Sequence, residues 1–271
     1  MSEPLPLENY GEEILARLAK APSVSLFLDF DGTLTPIVEE PGQARLSPET
    51  TRVLSSLSSL EGVLVAIVSG RSLADLCGRV GIESIVYAGN HGLEICGRGL
   101  NFVEPFAQRK SQVLPELCET LSATVHAVRG AVVENKGLTA SVHYRRVAPE
   151  ETADLERLVR AAVAPASSIF HIRPGKMVWE IVPRINWHKG AAICWINSRR
   201  AALDADSVIA GDDATDEHGF QLGADDITIR VGEPRDTAAK YFVPGVDGML
   251  AFLARLLETR KGANASAGTG K

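Results

Sequence analysis

The sequence predicts an α/β protein: a parallel three-layer core sheet interrupted by an inserted α+β unit. Three observations predict it. Short, largely apolar runs alternate with helix-patterned segments between residues 24 and 88, and the same alternation returns between 188 and 257. Each early run stops at a cluster of Asp, Ser or Gly, as buried parallel strands do. Between the two halves the order changes to helix–strand–strand, written twice, and sequential strands joined by short turns pair antiparallel.

The elements follow in chain order. Leu7, Ile14, Leu15 and Leu18 form a helical stripe over 7–20. Val24–Leu28 reads as a buried strand bounded by Ala21-Pro22-Ser23 and Asp29. Ser47-Pro48 opens a helix to about Leu60, with Ser as N-cap and Pro at the first helical position. Val63–Val68 is a second strand, 72–79 a short helix, and Ile85–Ala88 a third strand. The late half repeats this with a helix at 188–203, strands at 207–210, 226–231 and 241–243, and helices at 213–222 and 247–257. This is a Rossmann-like, doubly wound pattern. The core is therefore expected over 1–104 plus 184–260, and the insert over 105–183. The small polar residues 261–271 are expected to form a disordered tail.

Within the insert, a helix at 107–128 precedes strands at 131–136 and 139–145. A helix at 150–163 precedes strands at 168–173 and 177–182. A turn centred on Gly137-Leu138 sets Glu134 opposite Ser141 and Lys136 opposite Thr139. Period-two alternation then places Glu134, Lys136, Ser141, His143 and Arg145 on one face, and Val133, Ala140, Val142 and Tyr144 on the other. The apolar face packs on the helices. The charged face reads either as a solvated surface or as a binding surface.

Composition narrows the function classes. Of 271 residues, 45% are hydrophobic and 23% charged, enough apolar material for a real core. Lys and Arg number 28 against 34 Asp and Glu, a net charge of −6, so no basic surplus favours nucleic acid or an anionic membrane. Cys77, Cys96, Cys118 and Cys194 lack the spacing of a zinc or redox motif. Met1–Tyr10 has no positive start and no apolar run, so it does not read as a signal peptide. No run reaches about 18 apolar residues, the length that spans a bilayer. A soluble, cytoplasmic protein is expected.

Four motifs carry chemistry, three of them at strand ends. Asp29-Phe30-Asp31-Gly32-Thr33-Leu34 follows the first buried strand. Two carboxylates so close repel unless a cation or proton compensates, and a hard cation such as Mg²⁺ takes oxygen ligands. Gly211-Asp212-Asp213-Ala214-Thr215-Asp216-Glu217 follows a late strand, so Asp212 can join Asp29 and Asp31 around a metal. Asp213 also suits a helix N-cap. Ser69, in Ser69-Gly70-Arg71, suits either a helix cap or a phosphate. Lys189 sits at a helix start, against the helix dipole, so an unpaired surface role is disfavoured. Together they outline a phosphoryl-transfer site with metal, cation and carboxylate nucleophile.

In this ordered set the chain resembles the haloacid dehalogenase-type phosphatases. The resemblance implies that Asp29 is the nucleophile and Asp31 the acid and base. It implies that Asp29, the Asp31 carbonyl and Asp212 hold Mg²⁺, that Asp213 and Asp216 orient the metal's waters, and that Ser69 and Lys189 hold the phosphoryl group. Gly89-Asn90-His91-Gly92-Leu93-Glu94, Glu134-x-Lys136, His143-Tyr144-Arg145 and Gly175-Lys176-x-Val178-x-Glu180 are similar to the trehalose-6-phosphate phosphatases, over about residues 24–255. There the insert is a cap closing over the sugar. The substrate side would comprise Gly32, Thr33, Gly70, Arg71, Asn90, His91, Glu134, Lys136, His143, Arg145, Lys176 and Glu180. His218 departs from the family, which often has an acid there. The partner implied is a small sugar phosphate. The alternatives are a phosphatase for sucrose or mannosylglycerate phosphate, a phosphotransferase of the same fold, and a non-catalytic sugar-phosphate sensor.

Overall fold

The computed structural model describes residues 3–199 and 205–268. They fall into two compact units, Met1–Phe102 with Trp187–Lys271, and Val103–Asn186.

The first unit is built on a nine-stranded sheet. Its elements begin with β1 (Leu5–Pro6), α1 (Gly11–Lys20), β2 (Ser23–Leu28), α2 (Pro48–Ser58), β3 (Val63–Val68), α3 (Leu73–Val80), β4 (Val86–Gly89), β5 (Glu94–Gly97) and β6 (Leu100–Val103). The second unit follows with α4 (Pro105–Lys110), α5 (Leu114–Val125), β7 (Val132–Asn135), β8 (Ala140–His143), α6 (Thr152–Val163), β9 (Phe170–Gly175) and β10 (Val178–Pro183). The chain returns to the first unit with α7 (Lys189–Asn197), β11 (Ala205–Gly211), α8 (Glu217–Phe220), β12 (Ile227–Val231), β13 (Tyr241–Val243) and α9 (Val246–Gly268).

The sheet order is β1-β13-β12-β11-β2-β3-β4-β5-β6. The pairings from β1 through β4 are parallel, and β5 pairs antiparallel with β4. From β2 the chain winds one way through β3 and β4. It later resumes at β11 on the other side of β2 and winds the other way. The strand order therefore reverses between β2 and β11, the crevice where open α/β sheets take ligands. Alternate residues of β2 and β3 enter opposite layers. Val24, Leu26, Val65 and Ile67 pack with α1, α2, α3 and α9, while Phe27, Ala66 and Val68 pack with α7 and Phe220. Three layers result.

The second unit has two layers. Its antiparallel sheet runs β7-β8-β10-β9. Leu117, Leu121 and Val125 of α5 and Leu155, Val159 and Val163 of α6 pack on Ala140, Val142, Trp179 and Ile181.

Several expectations are corrected. The expected helix at 107–128 is two, α4 and α5, joined by a 3-10 turn at Ser111–Val113. Pro115 lacks an N–H and restricts the residue before it, so the helix restarts there. The short antiparallel strands β5 and β6 were not expected; their sequence turns at Gly97-Arg98-Gly99, where all three residues have positive φ. The expected tail at 261–271 is helical through Gly268, as the end of α9. Alanines at 263, 265 and 267 favour helix, and extending an existing helix requires no new nucleus. Residues 269–271, and the 200–203 end of the helix expected over 188–203, lie outside the described residues; that helix ends at Asn197. No helix among the described residues is long and apolar enough to cross a membrane.

Candidate active site

At the carboxyl end of β2 the Asp29 N–H still donates to Ala210 O of β11, at 3.0 Å, so the two strand ends are locked side by side. The chain then turns within Phe30–Thr35, with Leu34 N bonded to Phe30 O and Gly32 N to Thr35 O. Gly32 has φ +83°. A Cβ there would lie 2.1 Å from Asp212 Oδ2, so only glycine lets the two acidic segments approach this closely. Gly211 plays the same part on β11: a Cβ would lie 2.1 Å from Asp216 Cγ.

Asp29, Asp212 and Asp216 are buried, and one carboxylate oxygen from each lies within 4.8 Å of the others. Lys189 Nζ donates to Asp29 Oδ1 and to Asp216 Oδ1, both at 2.8 Å, and its side chain is 4% exposed. His188 caps α7 by accepting from Ala191 N, and so fixes where Lys189 starts the helix. Burial pushes the Asp29 carboxyl well above the ordinary range; Lys189 pulls it down, while Asp216 and Asp212 push it up again. For Lys189, burial favours the neutral amine, but Asp216 and Asp29 outweigh it and hold the pKa above the ordinary lysine value. Three buried carboxyls gathered around one ammonium are an acidic excess in a dry site, which a divalent cation would offset. Oxygen donors at this spacing suit Mg²⁺.

Asp216, expected to orient the metal's waters, stands in the carboxylate cluster with Asp29 and Asp212. The Asp31 carboxylate lies outside that cluster; its carbonyl was the group expected on the metal. Arg71 donates to both Asp31 oxygens, Nε to Oδ2 and Nη2 to Oδ1, each at 2.7 Å, and Nη1 donates to Asp75 at 2.8 Å. Arg71 was expected on the substrate; here its guanidinium is committed to two acids. Burial lowers its pKa, but Asp31 and Asp75 overcome this and raise it. Asp213 takes the capping role: its side chain accepts from Ala214 N, and the Asp216 side chain accepts from Asp213 N.

Ser69, 2% exposed, ends β3 beside β2. It is not the cap of α3, because Ser72 fills that place by accepting from Asp75 N. Ser69 Oγ instead accepts from Arg71 N, and Ser69 O accepts from His91 N. Gly70 lies between Ser69 and Arg71. Asn90 and His91 carry φ of 50° and 58°, left-handed values that cost energy in a non-glycine residue. Asn90 N bonded to Arg71 O and Asn90 Nδ2 bonded to Glu94 Oε2 hold them there. Thr33 is fully buried, with its hydroxyl unpaired.

In the second unit the hairpin forms in the expected register. Lys136 N bonds Thr139 O, and Glu134 pairs with Ser141. His143 lies 2.8 Å from Glu134. A polar row crosses all four strands: Glu134, Ser141, Glu180 and Arg173 are successive cross-strand partners. Arg173 donates to Glu180 Oε2 at 2.9 Å through Nη2 and 3.2 Å through Nε. Arg145 lies in the turn after β8 rather than on the strand, and Lys176 in the exposed turn between β9 and β10. Arg173 was not expected; its period-two offset from His171 and its place opposite Glu180 would have found it.

Residues 27–246 match the profile of the family described as Trehalose-phosphatase. The chain belongs to the trehalose-phosphatase family. Among relatives, it is 32% identical to the probable trehalose-phosphate phosphatase H of Arabidopsis thaliana, over 92% of this chain and 76% of that one. It is 36% identical to the trehalose-phosphate phosphatase of Mycobacterium avium, over 72% of this chain and half of that one. A crystal structure titled trehalose-6-phosphate phosphatase related protein superposes with a TM-score of 0.77 at 27% identity, covering 88% of this chain and 99% of that one. A haloacid dehalogenase-like hydrolase from Bacteroides thetaiotaomicron, at 14% identity and a TM-score of 0.62, shares the fold. The family members are phosphoric monoester hydrolases, and this chain is an enzyme of that class.

Proposed function

We propose that the protein hydrolyses trehalose 6-phosphate to trehalose and phosphate through an aspartyl-phosphate on Asp29. The observation that carries this reading is the buried set of Asp29, Asp212 and Asp216 around Lys189, at the sheet's switch point, in a chain of this family.

Asp29 has one oxygen on Lys189; the other attacks phosphorus, forming an O–P bond as the bond from phosphorus to the sugar oxygen breaks. Asp31 gives that departing oxygen a proton. The same carboxylate then takes a proton from water, whose oxygen bonds to phosphorus as the bond from phosphorus to Asp29 breaks, releasing phosphate and restoring Asp29. Lys189 and Ser69 hold phosphoryl oxygens. Asp29, Asp212 and Asp216, with the Asp31 carbonyl, would hold Mg²⁺, which when bound offsets the negative charge gathering on the phosphoryl group. In the insert, the Glu134 and Glu180 carboxylates, held by His143 and Arg173, are acceptors of the kind that suits sugar hydroxyls. Lys136, His143, Arg145 and Lys176 complete the set proposed for the sugar.

Phosphate release from trehalose 6-phosphate and a panel of other sugar phosphates, with and without Mg²⁺, tests the reading. Trehalose 6-phosphate is expected to give the highest kcat/KM, only with Mg²⁺, and Asp29→Asn to abolish turnover. Better turnover of another sugar phosphate would refute the substrate. Release by folded Asp29→Asn at the wild-type rate would refute the mechanism.

A further inference from the structure

We infer that Asp75, which lies outside the reacting centre, is a positioning residue that sets Asp31 through Arg71. The inference rests on Asp31 being the acid of the proposed reaction, and goes beyond it by naming what holds that acid.

Asp31 sits on a turn, and a turn carboxylate is free to rotate unless something fixes it. Arg71 fixes it with two bonds of 2.7 Å, the forked geometry that specifies orientation as well as charge. Arg71 is itself a long side chain that needs an anchor. Asp75, one helical turn on, supplies it: Asp75 Oδ2 accepts from Arg71 Nη1 at 2.8 Å and from Arg79 Nε at 2.7 Å. Arg79 Nη1 in turn donates to Gly42 O and Ala44 O, each at 2.9 Å, tying the chain to the segment before α2.

An acid–base pair along a helix is usually worth little, because water screens it and the side chains wander. The Arg160–Glu156 pair on α6 is of that kind, with 59% and 39% of its side chains exposed. Arg71 and Arg79 are each only 11% exposed. The ladder Asp31–Arg71–Asp75–Arg79 alternates in sign throughout, so removing one rung leaves its neighbours with a half-buried, unbalanced charge. The Phe30 ring lies 5.3 Å beneath the Arg71 guanidinium and closes the other side.

The test separates positioning from general structure by the leaving group. A sugar alkoxide must be protonated as it departs; a nitrophenolate leaves as the anion. The constant kcat/KM covers only the steps up to that departure, so the shared hydrolysis of the aspartyl-phosphate does not enter. The readout is the ratio of kcat/KM for trehalose 6-phosphate to that for p-nitrophenyl phosphate. Asp31→Asn sets the reference and should lower the ratio most. Asp75→Asn, which keeps the size and the backbone N–H that Ser72 caps, should lower it by about tenfold or more. Arg71→Lys should do the same, because one ammonium cannot replace the fork, and it carries the test if Asp75→Asn does not fold. A ratio that stays at the wild-type value in folded Asp75→Asn, or in folded Arg71→Lys, overturns the inference, whether both activities fall together or neither does. If wild-type protein does not hydrolyse the sugar ester, or Asp31→Asn leaves the ratio unchanged, the reading of the site fails first and this inference with it.

Discussion

Replacing Lys189 by methionine tests the electrostatic account of the site most directly, because it removes one charge with little change in volume. The ammonium meets two carboxylate oxygens at 2.8 Å. At an effective dielectric of about 20, each contact corresponds to roughly 6 kcal/mol of attraction. Desolvating the ammonium cancels much of that, so the expected loss of stability is about 3–5 kcal/mol, the usual consequence of leaving a buried charge without its partner. At roughly 2–4 °C per kcal/mol, Tm without metal should fall by about 6–20 °C. The deficit should depend on pH. Asp29 is already held above the ordinary range by burial, with Asp216 and Asp212 adding to it, and it rises further once Lys189 is gone. A carboxyl with a raised folded pKa does no harm below its unfolded pKa and destabilises progressively as pH rises toward the folded value. The variant should therefore lose least near about pH 4, the ordinary carboxyl value, and progressively more as pH rises above it. Mg²⁺ at about 100 times its Kd should return about 2.7 kcal/mol. Activity should fall about 10²–10³-fold in kcat, as when one donor to a developing anion is removed. Thermal melts across pH, with Mg²⁺ or with EDTA, and steady-state kinetics check each part. A variant that melts with the wild type in EDTA and loses less than about threefold in kcat would refute the argument.

Four further outcomes are expected. Burial pushes the Tyr87 hydroxyl, which donates to Ile82 O, up to about 12, even though it also accepts from Ile82 N; stability is therefore fully present below about pH 10 and declines from there to about pH 12. Tyr87→Phe should flatten that decline in pH-dependent urea melts and cost about 1–3 kcal/mol at neutral pH, since two Ile82 backbone groups lose their partner. Gly211→Ala should drive Asp216 from the cluster and abolish the Mg²⁺-dependent rise in Tm. Gly78→Ala, in α3 with nothing within 4 Å of its Cβ, should raise stability by about 0.5–1 kcal/mol. Glu180→Gln in the insert should lower kcat/KM for trehalose 6-phosphate at least about tenfold and that for p-nitrophenyl phosphate far less; a parallel fall in a variant that melts normally would remove the sugar-recognition role from the polar row.

The core was legible because its strands are buried on both faces and so appear as unbroken apolar runs, as in Val63–Val68, fully buried throughout. The hairpin register was legible because Glu134, Ser141 and His143 alternate with Val133, Ala140 and Val142, and the structure pairs them so. Edge elements were not: β5 and β6 have four residues each and carry little period. The four-acid motif showed that acids gather after β11, but not which of them points inward. That depends on a 3-10 turn, which uses Asp213 as its cap and swings Asp216 back against Gly211. Nor does any spacing reveal that Arg71 meets Asp31 across 40 residues of sequence. Such a contact follows from β2 and β3 lying side by side, and is read only once the sheet order is known.

Asp29 and Asp31 show why the sheet order matters to the chemistry. They are two residues apart and identical in kind, yet the proposed reaction asks one to be an anion that attacks and the other to carry a proton. Intrinsic chemistry cannot divide those tasks; surroundings must. After Asp29 the chain leaves strand geometry in the turn at Gly32, so the two side chains part instead of sharing the face that an i, i+2 spacing gives in a strand. Asp29 enters the buried crevice between β2 and β11, among Asp212, Asp216 and Lys189, where it competes with other anions for a cation. Asp31 meets Arg71 from the β3 side, its side chain 38% exposed against 7% for Asp29. One carboxylate is thus bound to a fixed ammonium in a dry cluster, and the other to a forked guanidinium at its wetter edge. The strand reversal at β2 creates both environments at once, because it sets β11 on one side of the strand and β3 on the other.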